Sequence, residues 1–448
     1  MIDLQKYNVP VPRYTSYPTV PSWTPEEFYI EGYEKSLQTT YRESSGEVSL
    51  YIHLPFCESL CTYCACNTRI TKNHGVEEPY LQHVLKEWQL YAERLPDTPV
   101  IKEIHLGVGT PTFFSSANLS YLIEQILASS KTAKNVQMSF EGHPGNTTVE
   151  HLQKLGKLGF RRLSLGIQDF ADNVQEYINR RQTYHQVEEV MVAARKMGYN
   201  SINFDVVYGL PGQTTKSLMS TLQQVGNLSP DRIAFYSYAH VPKMRPAQKS
   251  YEQFLPTADA KYKFMLLGKS FLKSAGYIEV GMDHFVKTGD ELMQARQEGH
   301  LHRNFMGYTP FTSRLLIGLG VSAISDTWTG FAQNEKKVED YYAAVDEGRL
   351  PICRGHLLTQ EDLFFRKKIL DLMCNCETKW TEEERLNHGD AIDHDLLKQL
   401  KEDRLIEMEN HRIKVLPEGY DVIRIVCRAL DARANTHKTY RQQFSQSI

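Results

Sequence analysis

Ser49-Leu-Tyr-Ile-His-Leu-Pro-Phe-Cys-Glu-Ser-Leu-Cys-Thr-Tyr-Cys-Ala-Cys66 decides how the rest of this chain is read. A short strand-like run, Ser49–His53, leads within a few residues to Cys57, Cys61, Cys64 and Cys66. The chain has 448 residues and eight cysteines, so half of its cysteines fall on one loop. Five further β-branched or aromatic runs follow: Ile101–Leu106, Val136–Glu141, Arg162–Gly166, Ile202–Tyr208 and Arg232–Tyr238. Between them lie segments with helical spacing, such as Pro79–Arg94 (Tyr80, Val84, Trp88, Leu90, Tyr91) and Thr215–Leu228. Six β-α units in series predict an α/β fold with a parallel sheet, because parallel strands need a crossover and helices usually supply it. The crossovers should be right-handed. A partial barrel and an open doubly wound sheet both satisfy the pattern.

The unusual residues gather at the C-terminal ends of these strands, where α/β folds bind ligands. Cys57–Cys66 follow the first, Gly107–Pro111 the second, Glu141 closes the third and Gln168 follows the fourth, while Asp205 and Tyr208 belong to the fifth. Residues 240–330 read as a mixed extension rich in His, Arg and Gly. From about Leu357 the texture becomes helical. Leu397–Arg404, the strand pair Leu405–Met408 and Arg412–Val415, and a last helix near Tyr420–Ala432 suggest a winged-helix-like module. No basic stripe accompanies it, so a packing role is expected rather than DNA binding. Arg433–Ile448 reads as a polar, partly mobile tail.

Composition narrows the classes. Hydrophobic residues are 41%, charged 23% and aromatic 11%, as in a globular protein with a large core. The length implies more than one domain. A net charge of -3, from 51 basic and 54 acidic residues, gives no reason to expect nucleic acid or a membrane surface as partner. MIDLQKYNVPVPRY lacks the apolar stretch of a signal peptide, and the longest apolar run, Leu315–Val321, is too short to span a membrane. A reducing, cytoplasmic setting is therefore expected, and with it metal or redox chemistry rather than disulfides.

Cys57-x3-Cys61-x2-Cys64 puts three thiolates on one loop. A structural zinc ion usually takes four ligands, and Cys374 and Cys376 read as core residues, not as the missing pair. Three ligands to a four-iron cluster leave one iron open. This spacing, with Tyr63 at the aromatic position, resembles the radical S-adenosylmethionine (SAM) superfamily. The resemblance implies a partial (β/α)6 barrel and one [4Fe-4S] cluster. It also implies SAM chelating the open iron and its one-electron cleavage to a 5′-deoxyadenosyl radical.

Cys66 extends the motif to a fourth cysteine. Together with Pro12-Arg-Tyr-Thr-Ser-Tyr-Pro-Thr19 it resembles the oxygen-independent coproporphyrinogen III oxidase family. The likeness continues through Gly166-Ile-Gln-Asp-Phe170, Asp205-Val-Val-Tyr-Gly-Leu-Pro211, Tyr238-Ala-His240, Gly281-Met-Asp-His-Phe285, His302-Arg-Asn-Phe305, Gly318-Leu-Gly-Val-Ser-Ala-Ile324 and Gln442-Gln-Phe-Ser445. It implies that two propionates of coproporphyrinogen III become vinyl groups, giving protoporphyrinogen IX, with an unidentified electron donor and acceptor and a monomeric enzyme. It implies three domains: 1–45 covering the active site, 46–330 the barrel and its extension, and 331–448 mostly helical.

Residue roles come with the resemblance. Cys57, Cys61 and Cys64 would ligate iron. Tyr51, Tyr63, Val108, Glu141 and Ile324 would lie around the cluster-bound SAM. Gly109, Thr110, Gln168, Arg180, Asp205 and Ala239 match positions around a second SAM. For Arg180 and Asp205 an ordinary buried ion pair is the other reading, and for Glu141 a helix N-terminal charge. Cys66 is a candidate for electron or proton transfer, or for packing. Arg13, Lys243, Arg245 and Arg303 are candidate cations for the substrate carboxylates, and His284 and His302 candidate donors or proton carriers. Three positions depart from the family pattern: Ala65 and Val108 stand where glycine is usual, and Met306 where glutamine is usual. A related haem chaperone, or a methyltransferase or haem-opening enzyme on the same scaffold, are the alternatives. Cys66 and the Pro12–Thr19 segment favour the decarboxylase.

Overall fold

The computed structural model describes residues 4–436 and 444–447. Two compact units divide the chain, one of residues 24–234 and 313–357, the other of residues 1–23, 235–312 and 358–448. Both are discontinuous in sequence, and they cross the linear division 1–45, 46–330 and 331–448. At the N-terminal side, residues 24–29 and helix Ile30–Glu43 join the first unit, while residues 1–23 join the second.

The first unit is built on parallel strands β1 (Glu47–Leu54), β2 (Val100–Gly109), β3 (Lys131–Gly142), β4 (Arg162–Gln168) and β5 (Ser201–Tyr208), which lie side by side in chain order. The sixth strand, Arg232–Ser237, follows β5 and leaves this unit after Ala234. On the other side β1 pairs in parallel with Leu316–Leu319. The antiparallel strands Ile324–Asp326, Gly330–Asn334 and Ile352–Leu357 continue from there. The sheet is therefore open, with β1 inside it. Helices Glu77–Arg94, Ser116–Ala128, Val149–Lys157, Tyr184–Lys196 and Thr215–Leu228 make the crossovers. Three of them start at threonines, Thr148, Thr183 and Thr214, in reciprocal capping boxes that satisfy orphan N–H groups.

The strands alternate strictly. Leu50, Ile52, Leu54, Ile104, Leu106, Met138, Phe140, Leu163, Leu165, Ile202 and Phe204 form the buried face against the helices. The other face carries Ser49, Tyr51, His53; Glu103, His105, Gly107; Gln137, Ser139, Glu141; Arg162, Ser164, Gly166; Ser201, Asn203, Asp205. Period two puts each set on one side. Register then aligns them: Tyr51 lies beside His105, His105 beside Ser139, Glu141 beside Ser164, and Gly166 beside Asp205.

The second unit holds the hairpin of His302–Asn304 and Gly307–Thr309, helices Gln360–Asn375, His394–Glu402 and Ile423–Ala429, and a three-stranded sheet ordered Glu377–Lys379, Arg412–Val415, Ile406–Glu409. Both ends of the chain pack into this unit. Arg424 Nε donates to the Pro12 carbonyl at 2.9 Å and Ser447 N–H to the Val9 carbonyl at 3.0 Å. Of the tail expected to be partly mobile, Ala432–Thr436 is helical and Gln446 bridges to Pro10, while 437–443 and Ile448 lie outside the described residues. No helix among the described residues is long and apolar enough to cross a membrane.

Phe140 tests the buried face. It is fully enclosed, with ring centroids 6.0 Å from both Phe160 and Tyr199. Phe140→Ala should lower the unfolding free energy by about 3–5 kcal/mol, measured by denaturant titration of the folded chain.

Candidate functional site

The cysteine loop leaves β1 and is tied down at both ends. Phe56–Cys57 pairs with Arg69–Ile70, closing the loop at its base. At the tip, Asn179 Nδ2 donates to the Leu60 carbonyl at 2.7 Å and Thr62 Oγ1 to the Tyr177 carbonyl at 2.8 Å. Cys57, Cys61 and Cys64 are half-buried and Cys66 is exposed. Burial pushes the Cys57 thiol up to about 11 against a hydrogen bond with Thr110 Oγ1, and raises Cys61 against the nearby Arg180 charge. Without iron these thiols keep their protons at neutral pH, and metal binding displaces them. Among the described residues no three His, Cys, Asp or Glu side chains converge tightly enough for a single ion. Three thiols on one loop are fewer than the four ligands a structural zinc usually takes, and match a four-iron cluster with one open iron. The Cys66 N–H donates to Cys64 Sγ at 3.4 Å, so the backbone reaches back to the third thiol of the loop.

Next to the loop the strand ends form a polar floor. The Val108 N–H donates to Glu141 Oε2 at 3.1 Å, and His105 Nε2 lies 3.3 Å from Oε1. Burial would raise the Glu141 carboxyl, but His105 and the Val108 N–H hold it below its ordinary value. Glu141 is thus a carboxylate on the sheet floor, not a helix N-terminal charge. The Tyr51 ring stacks on His105 with centroids 6.1 Å apart. Crowding by backbone at Gly109 and by side chains at Gly107 explains the glycines. A side chain on Gly109, at φ +68, would meet the Leu54 carbonyl at 2.2 Å, and one on Gly107 would sit 3.1 Å from Glu141 Oε1. Val108 between them also has a left-handed backbone, φ +56, which a β-branched residue rarely adopts.

Around β4 and β5 the remaining candidates assemble. Arg180 Nη2 donates to the Gly166 carbonyl at 2.5 Å, Nε to Gln182 at 3.2 Å, and Nη1 faces Cys61 Sγ at 3.8 Å. It makes no ion pair with Asp205. That carboxyl instead accepts from Asn203 at 2.9 Å and from Ser164 at 3.3 Å, and burial with the Glu141 charge pushes it up to about 7. Gln168 ends β4 at φ +63, and Thr110 N–H donates to the Phe56 carbonyl at 3.1 Å. Ile324 opens its strand at the same sheet, half-buried. Tyr63 lies half-buried on the cysteine loop, where burial raises its hydroxyl far above the ordinary range.

Helix Glu77–Arg94 supports these ends through residues that sequence reasoning passed over. Tyr80 Oη donates to the His53 carbonyl at 2.7 Å and accepts from Val321 N–H at 3.0 Å. Glu87, fully buried, accepts from Gly320 N–H at 2.7 Å, Tyr341 Oη at 2.7 Å and Asn334 Nδ2 at 2.6 Å. Together they hold the Gly318–Ile324 turn. The signal was present: a glutamate on the apolar face of the helix, three residues after Val84 and one before Trp88. His105 was equally legible as a polar residue at an alternate position of an apolar strand.

The other unit holds a second group. Arg13 pairs with Asp283 and lies over the Tyr236 ring at 5.2 Å. His284 contacts Tyr236 and Tyr308 edge-on, and Arg303 lies over Tyr308 at 4.6 Å. Ala239 belongs to this unit too. Lys243 is exposed and Arg245 half-buried, so neither is enclosed as Arg303 is. His302 is buried, and burial with the Arg366 charge lowers it to about 3.

Comparison with known proteins follows the same residues. The Radical SAM superfamily model matches residues 51–225. Oxygen-independent coproporphyrinogen III oxidase of Escherichia coli (strain K12) is 37% identical, covering 99% of this chain and 97% of its own length. The protein of that name in Helicobacter pylori (strain ATCC 700392 / 26695) is 36% identical, covering 96% of each. The solved structure of coproporphyrinogen III oxidase (HemN) from Escherichia coli, described as a radical SAM enzyme, aligns with TM-score 0.87 and 34% identity over 94% of this chain and 97% of its own.

Glu87 provides a pH test of the supporting helix. Burial raises its carboxyl from 4.5 to about 8 despite three donors that favour the charge. The folded chain then holds a proton that the unfolded chain has lost, so this contribution to stability falls as pH rises from about 4.5 to about 8. Glu87→Gln should remove that slope, on the order of 1 kcal/mol per pH unit. Denaturant titrations of both proteins across this window check it, and identical slopes would contradict it.

Proposed function

Because the chain belongs to the oxygen-independent coproporphyrinogen III oxidase family, we infer that its cysteine loop and polar floor carry out that family's reaction. The chain is a radical SAM oxidoreductase of porphyrin biosynthesis that decarboxylates coproporphyrinogen III oxidatively, using a [4Fe-4S] cluster and SAM. With both bound, one-electron cleavage of SAM supplies the radical that takes a hydrogen from a propionate β-carbon, and loss of CO2 and one electron leaves the vinyl group. Two propionates react in turn to give protoporphyrinogen IX.

The observation that carries the residue assignment is the loop itself. Three thiols sit on one tethered segment beside a carboxylate fixed by a backbone N–H. In this reading Cys57, Cys61 and Cys64 hold the irons, with Thr110 and the Cys66 N–H supporting the sulfurs. Glu141 receives the cationic amino group of the cluster-bound SAM, and Tyr51, Tyr63, Val108 and Ile324 enclose it. Arg180 steadies the loop electrostatically, since its guanidinium faces Cys61 and its other donors are engaged on protein. Gly109, Thr110, Gln168 and Asp205 are assigned to a second SAM. The raised Asp205 carboxyl suits a ribose hydroxyl or a sulfonium. The working form is taken to be a monomer served by a separate electron donor and acceptor.

Anaerobically reconstituted protein, given SAM, a reductant and coproporphyrinogen III, should release CO2 and form protoporphyrinogen IX. Cys61→Ser should lose the cluster absorbance and at least about 100-fold in rate. Intact cluster and tight haem binding without decarboxylation would contradict the reading and favour a haem chaperone.

Val108 makes a second prediction. A β-branched residue at φ +56 costs roughly 1–3 kcal/mol, and Val108 stands between two glycines beside the loop. Val108→Gly should tighten SAM binding by about 3- to 10-fold without lowering the unfolding midpoint. Equilibrium SAM titration and thermal unfolding check it, and an unchanged SAM affinity would contradict it.

A further inference from the structure

Arg303 is enclosed at 4% exposure, yet its Nε and Nη1 have no hydrogen-bond partner and its guanidinium forms no ion pair among the described residues. A buried unpaired charge is costly, and removing its partner typically costs several kcal/mol. Among the described residues no carboxylate pairs with it. Asp283 is engaged by Arg13. His284 donates Nδ1–H to the Met282 carbonyl at 2.8 Å, so its Nε2 carries the lone pair. Burial and the Arg303 and Arg13 charges lower its pKa to about 4, and it is neutral at physiological pH.

The guanidinium is nonetheless held deliberately. It lies over the Tyr308 ring at 4.6 Å, as its cross-strand neighbour in the hairpin. Tyr308 is fixed in turn: its hydroxyl donates to the Met373 carbonyl at 3.0 Å and accepts from Met282 N–H at 3.0 Å. Gly281 permits this close approach, because a Cβ there would meet the ring at 2.4 Å. A stacked, preoriented guanidinium with free donors matches a carboxylate in geometry and charge.

We propose that Arg303, stacked on Tyr308, is a carboxylate-binding residue that receives a propionate of the substrate. The proposal rests on the reading above only for which molecule carries the carboxylate. The shared chemistry is an alkyl carboxylate, which SAM also bears, so both ligands are tested.

Coproporphyrin III, its tetramethyl ester and SAM are titrated separately into wild type, Arg303→Lys and Arg303→Met, and KM and kcat for coproporphyrinogen III are measured alongside. Wild type should bind the free acid at least about tenfold tighter than the ester. Arg303→Met should lose roughly 10- to 100-fold in acid affinity with ester affinity unchanged, and Arg303→Lys should recover part of it. KM should rise more than kcat falls. Equal affinity of wild type for acid and ester would overturn the proposal whether or not the variants fold. So would an Arg303→Met protein that keeps its acid preference, or one that loses affinity for SAM alone. Wild type that binds the acid tightly but does not decarboxylate supports this site while contradicting the reaction.

Discussion

A polar side chain on the inner face of a parallel sheet has to be satisfied by its neighbours on the adjoining strands. In β1 to β5 that requirement organises the site. His105 reaches Ser139 at 2.8 Å and Glu141 at 3.3 Å, and Asn203 reaches Ser164 and Asp205, each at 2.9 Å. The opposite faces are uniformly apolar and take the crossover helices, whose burial supplies most of the stability. A one-residue slip in any strand would exchange the two faces. Register, helix cover and the row of hydrogen-bonding groups at the strand ends therefore stand or fall together.

The cysteine loop depends on that frame. It is short, it departs from the inside strand β1, and it is pinned through Asn179 and Thr62 to the C-terminal end of helix Asp172–Tyr177. In the proposed function, three thiols held this way would take three corners of a four-iron cluster and leave the fourth for a ligand whose own charges must be met nearby. Glu141 offers the negative charge and the glycines beside it give close access. Arg180 brings a positive charge to Cys61 Sγ. Helix Glu77–Arg94 contributes no group to the floor, yet through Tyr80 and Glu87 it sets where the Gly318–Ile324 turn lies.

Much of this was legible in the residues. Runs of β-branched and aromatic residues exposed β1 to β5 and Arg232–Ser237, though not the parallel strand Leu316–Leu319, and helix Thr215–Leu228 begins and ends where its spacing indicates. The cysteine spacing and the strand-end motifs picked out Cys57–Cys66, Glu141, Gln168 and Asp205, which stand in or just after β1, β3, β4 and β5. Other features were not legible for physical reasons. The units are interleaved along the chain because strands after residue 313 return to pair beside β1, and no local pattern reports a long-range return. The absence of an ion pair between Arg180 and Asp205 depends on which carbonyl and amide groups lie closer, which spacing cannot express. The left-handed backbone of Val108 ran against its residue type. Arg303 looks like an ordinary surface charge until its burial is known.

The central claim is that this chain directs a SAM-derived radical to the propionate β-carbon. Substrate deuterated at that carbon, incubated anaerobically with reconstituted enzyme and SAM, tests it most directly. The account requires deuterium in the 5′-deoxyadenosine recovered by mass spectrometry, in step with the CO2 released. Decarboxylation that leaves the 5′-deoxyadenosine unlabelled would contradict it.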